Sequence, residues 1–66
     1  MMTPIERNDI VGLTRSLSDE LPEGMIGRVL YCHDQGFEVQ FPTQSETRYA
    51  NVSGHDLKFI LGGLAP

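Results

Sequence analysis

Sixty-six residues make one domain and cannot hold two independent cores. Nine carboxylates against five basic residues give a formal charge of −4, which argues against a surface built to neutralise nucleic-acid phosphates. The hydrophobic fraction of 39 %, with three Phe, two Tyr and no Trp, lies above that of chains that stay disordered.

Ordering a residue costs roughly 1.5 kcal/mol, so a core this small offsets the cost only narrowly and needs sheet closure, a staple or self-association. One cysteine, Cys32, excludes an internal disulfide, and no Cys/His cluster offers a structural zinc. The start, Met1-Met2-Thr3-Pro4-Ile5-Glu6-Arg7, lacks the basic and apolar regions of a signal peptide, and no apolar run is long enough to span a bilayer. With a lone thiol, these features predict a cytoplasmic protein.

Residues 1–7 read as a lead-in segment, in which Thr3-Pro4-Ile5-Glu6 has the form of a capping box cut short by Asn8-Asp9. Asp9–Thr14 is the first predicted strand. The polar stretch from Arg15 to Gly24 follows, with Leu17 and Leu21 expected to fold back over the body of the domain. Met25–His33 is a long strand, in which simple alternation sets Gly27, Val29, Tyr31 and His33 against Ile26, Arg28, Leu30 and Cys32. Gly27 suits a sharply coiled strand where a side chain would block close backbone approach.

Asp34-Gln35-Gly36 predicts a tight turn with Gly36 at positive φ. Phe37–Phe41 alternates cleanly, with Phe37, Val39 and Phe41 inward, and Pro42 ends it for want of a ladder donor. Thr43–Glu46 is a turn, and Thr47–Val52 is a strand with Arg48, Ala50 and Val52 opposed to Thr47, Tyr49 and Asn51. Ser53–Leu57 reads as a single helical turn and Lys58–Leu61 as the last strand. Residues 62–66 form a mobile tail. The expected core is Ile10, Leu13, Val29, Phe37, Val39, Phe41, Ala50, Val52 and Leu57.

Five short strands, a long loop after the first and a helical turn before the last predict an all-β, five-stranded SH3-like barrel over residues 8–61. The segments Asp9–Thr14, Leu21–Val29, Gly36–Phe41 and Asp56-Leu57 also resemble a family of short uncharacterised bacterial SH3-like barrel proteins, a domain of unknown function. That family reads D-hydrophobic-V-x-L-T, G-x-x-G-T-V, Y-E-V-E-F and D-L-R. Arg28 stands where it has Thr, and Gln40 where it has an acid; both are expected outward. The family is distantly similar to SH3-like accessory subunits of photosystem I and of ferredoxin–thioredoxin reductase, which implies protein docking without catalysis.

No catalytic, metal or cofactor site is expected. Cys32 and His33 are strand neighbours that point apart, so they do not make a nucleophile and its base, and Cys32 reads as half-buried. His33, Asp34, His55 and Asp56 would meet around a metal only if two turns converged. Glu38 and Glu46 lack the deep cleft of a glycosidase pair. A polyproline groove needs aromatics that Arg15–Gly24 does not supply.

What remains is a small interaction module or accessory subunit whose partner is a protein, either a foreign chain or a second copy in a homo-oligomer, with no membrane role and a poor fit to nucleic acid. The alternative is an acidic inhibitor or antitoxin-like protein that covers a basic site. Asp19, Glu20 and Glu23 form the densest like-charge cluster, and Ile26, Leu30 and Phe59 or Ile60 are more apolar residues than one small barrel can bury. Asp19, Glu20, Glu23, Ile26 and Leu30 are therefore the candidate partner-binding residues.

Overall fold

A computed structural model of the chain describes residues 4–63. Five strands occur in chain order: β1 Ile10–Leu13, β2 Ile26–His33, β3 Gly36–Pro42, β4 Thr47–Val52 and β5 Leu57–Leu61. A 3-10 turn at Gly54–Asp56 precedes β5, and the Ser53 hydroxyl caps it by accepting from the His55 N–H at 3.2 Å. All pairings are antiparallel and make one sheet in the order β4-β3-β2-β1-β5. The two outer strands do not pair with each other, so the sheet is not closed. The all-β class, the five strands, the long connection after β1 and the helical turn before β5 all agree with expectation.

Cross-strand partners share a face, and faces alternate along each strand. One row on the inner face runs Phe59, Val11, Gly27, with Val29, Val39 and Ala50 in the next. The buried core is Val11, Leu13, Leu21, Val29, Val39, Phe41, Val52 and Leu57. Three expected core residues sit differently. Ile10 is half-buried and pairs with Arg28 and Leu61 on the outer face, because Val11 and Leu13 are the two β1 residues of inward parity. Phe37 and Ala50 face inward but are only half-buried against the core. Phe37 lies beside the β2–β3 turn, where the sheet runs out. Val11 and Leu21 are buried where no core role was expected.

Gly27 fits its expectation. A methyl group added there would lie 2.7 Å from both Phe41 Cδ1 and Val39 Cγ1 and 2.8 Å from the Gln40 carbonyl oxygen. Gly36 needs its missing side chain for a different reason from the one expected. It is not at positive φ; an added methyl would instead sit 2.7 Å from the Val52 carbonyl oxygen.

The pairing register of β2 on β3 slips between Val29 and Tyr31. Such a bulge adds one residue to one strand and exchanges the faces beyond it. Tyr31 therefore pairs with Glu38 on the face opposite Val29, whereas sequence alternation had placed Tyr31 and His33 with Val29. Tyr31 is exposed, with the Arg7 guanidinium 5.7 Å from its ring centroid. Cys32 pairs with Phe37 and is exposed rather than half-buried.

The chain ends are tied by a buried carboxylate. Asp9, 6 % exposed, accepts from the Glu6 N–H at 2.7 Å and from the Gly63 N–H at 2.8 Å. Its own N–H closes a turn onto the Glu6 carbonyl at 3.1 Å, with Asn8 at φ 74°, a conformation asparagine tolerates well. Thr3 of the expected capping box, and residues 64–66 of the expected tail, lie outside the described residues.

The different burial of the two β3 aromatics makes a graded prediction. Phe41→Ala should cost about 3–5 kcal/mol, enough to unfold much of a domain this small. Phe37→Ala should cost clearly less, and urea midpoints of the two variants should rank in that order.

Candidate functional site

The acidic loop is built first, because its shape follows from two leucines. Leu21 is 8 % exposed and Leu17 packs beside it, so the excursion folds onto the inner face as expected. A small bridge between Ser18 and Leu21, and the Leu17 N–H to the Leu21 carbonyl at 2.9 Å, fix its tip. The base is held by the Gly24 N–H to the Leu13 carbonyl at 2.8 Å and by an ion pair of Arg15 with Asp56 at 3.1 Å.

The three carboxylates of this loop do not project alike. Asp19 and Glu23 are exposed, but Glu20 turns onto Arg48 of β4 at 2.6 Å. Arg48 also pairs with Glu46 at 3.1 Å. It lies opposite Phe41 on the inner face, at the open rim of an edge strand. An inward-facing charge at such an edge discourages pairing with another strand.

The outer face of β2, β1 and β5 has another character. Ile26 and Ile60, 46 % and 43 % exposed, converge over Gly12: a methyl group added to Gly12 would lie 3.5 Å and 3.1 Å from their Cδ1 atoms. Lys58 Cε lies 3.4 Å from the same point. Beside them is a groove of about 250 Å³ lined by Ile10, Ile26, Gly27, Arg28, Gln40 and Pro42. A second, of about 360 Å³, runs past Asn8, Ile10, Arg28, Leu61, Gly62 and Gly63. Arg28 and Ile10 belong to both, so Arg28 stands where the grooves meet. Arg28 and Gln40 are direct cross-strand partners and face outward, as expected of both.

Ile26 is thus central to this surface, while Leu30, at the β2 bulge, is half-buried and lines neither groove. The sequence candidates divide between two places: the acids on the loop over the inner face, and Ile26 on the outer face. Ile10, Gly12, Arg28 and Lys58 were missed as its companions. The signal for them was the parity of β1, since burying Val11 and Leu13 forces Ile10 and Gly12 outward. Arg28, Arg48 and Lys58 do not gather on one face, because Arg48 points inward.

The two histidine-bearing turns do approach one another. His33, Asp34, Phe37, His55, Leu57 and Ile5 are among the residues around a groove of about 660 Å³. Asp56, however, is turned to Arg15, and among the described residues no three metal-ligating side chains come together. His33 Nε2 lies 4.0 Å from the carboxylate of Glu38 on the adjacent strand β3. No helix among the described residues is long and apolar enough to cross a membrane. Comparison with known protein families, curated proteins and solved structures gives no match.

The loop geometry separates the three acids experimentally. Glu20→Gln should lower stability by up to about 1 kcal/mol, as for an exposed ion pair, and lose that effect in high salt. Asp19→Asn and Glu23→Gln should leave the urea midpoint unchanged.

Proposed function

We propose that this chain is a small non-catalytic interaction module, an SH3-like barrel left open between β4 and β5, that docks a protein on the outer face of β2, β1 and β5. Its five antiparallel strands, long first loop and 3-10 turn before the last strand support the SH3-like reading. The observation that carries the reading is the exposed pair Ile26 and Ile60 over Gly12. Contiguous apolar surface of this kind, rimmed by polar residues, marks interaction sites. Three hydrogen-bonded strands hold it, with a register shift of β1 on β5 between Ile10 and Val11, so the surface is preformed and little ordering opposes association. An exposed free thiol at Cys32 suits a reducing compartment, in keeping with a cytoplasmic role.

The acidic-inhibitor reading has less to work with. Of the three clustered loop acids, Glu20 is already paired with Arg48, which leaves Asp19 and Glu23 as the acids unpaired among the described residues to meet a basic site. On the outer face, by contrast, Ile26 and Ile60 stay 46 % and 43 % exposed among the described residues.

The test is a paired capture. Full-length wild-type protein and an Ile26→Asp/Ile60→Asp variant, both shown folded by circular dichroism, are used to capture proteins from the native host. A partner held by wild type and lost by the variant is the expected result. Equal capture by both would place the docking surface elsewhere.

A further inference from the structure

The charges of this chain are unevenly engaged. Of five basic residues, Arg15 pairs with Asp56, Arg48 with Glu20 and Glu46, and Arg7 lies over the Tyr31 ring. Arg28 and Lys58 have no ion-pair partner among the described residues. Both stand on the outer face, beside the isoleucines. Neither groove that meets at Arg28 is lined by a carboxylate, although the chain carries nine.

Resting on the docking reading above, we infer that the partner is an acidic protein segment with an apolar residue beside its carboxylate. The carboxylate would pair with Arg28, and the apolar side chain would enter the groove between Ile10, Ile26 and Pro42. Arginine suits this role because its planar guanidinium can grip a carboxylate with two parallel hydrogen bonds. Lys58, close to Ile26 and Ile60 over Gly12, adds a second positive charge to the same face. A net charge of −4 repels an acidic segment from most of the molecule, so this face is where such a segment can land. Nucleic acid fits the surface poorly, since two cations without an aromatic between them offer neither a phosphate track nor a stacking platform.

The probe is a short capped peptide with a single leucine between pairs of glutamates, titrated into the isotopically labelled full chain and followed by NMR. Two control peptides carry lysine in place of glutamate, or serine in place of leucine. Amide shifts should centre on Ile10, Ile26, Arg28 and Gln40, with both controls weaker. Arg28→Glu should weaken binding about tenfold or more, Arg28→Lys less, with each variant's own spectrum verifying its fold. Raising salt from about 0.01 M to about 1 M, which shortens the screening length from roughly 30 Å to roughly 3 Å, should weaken the glutamate peptide most.

Several outcomes overturn the inference. If the lysine peptide binds the same amides as tightly, or if they shift with protein concentration alone, the docking reading stands but the partner is basic or a second copy. If the serine control binds equally well, the groove takes no apolar side chain. If no peptide perturbs this face, the inference fails, and the capture experiment alone decides the docking reading.

Discussion

At Gly27 the backbone of β2 passes so close to β3 that Phe41, Val39 and the Gln40 carbonyl fill the space of a side chain. Much else depends on that approach. The missing side chain lets Phe41 and Val39 close over β2, and that close packing lets one sheet bury a single small core. Phe41, the largest fully buried side chain, occupies the space that Gly27 leaves. Beyond Val29 the bulge in β2 turns the strand again and sends Tyr31 outward beside Arg7. One glycine and one extra residue thus set where the inner face begins and ends.

The two faces are completed in different ways. The inner face is too shallow to bury its own apolar row, and the Arg15–Gly24 excursion closes it with Leu17 and Leu21. That arrangement directs Glu20 to the rim, where Arg48 holds it. The acidic cluster therefore has a structural share in keeping the loop down, and only part of its charge faces solvent. Among the described residues, no comparable segment covers the outer face. Ile26, Ile60 and the Lys58 stem close over Gly12 there, within 3.1–3.5 Å of where a side chain would stand, and Arg28 lies between two grooves beside them.

Asp9 closes the arrangement at the other end. Its two oxygens hold the lead-in at Glu6 and the chain just past β5 at Gly63, so the second groove has a defined wall at Gly62 and Gly63. A buried carboxylate is tolerated here because backbone N–H groups satisfy both oxygens. The surface proposed for docking thus borrows its shape from a buried tie set directly behind the groove wall.

The sequence by itself determined the all-β class, the positions of the five strands, the helical turn at Gly54–Asp56, the inward set Val39 and Phe41, and the need for glycine at 27. Each rests on local chemistry: two-residue alternation, turn residues, and a missing side chain inside a strand. The same chemistry showed that Ile26, Leu30 and Phe59 or Ile60 were together more than one small core could bury. What only the tertiary structure decided is where that surplus goes and what stands next to it. The parity of β1 turns on whether Val11 or Ile10 meets Gly27, a choice made by cross-strand pairing and invisible in four consecutive residues. The β2 bulge that reverses Tyr31 leaves no local signature. The pairing of Glu20 with Arg48, twenty-eight positions apart, depends on a loop folding across the sheet. Among the described residues, those non-local contacts leave Arg28 and Lys58 beside the isoleucines without ion-pair partners, because ion pairs form between groups that the fold brings close rather than between neighbours in the chain.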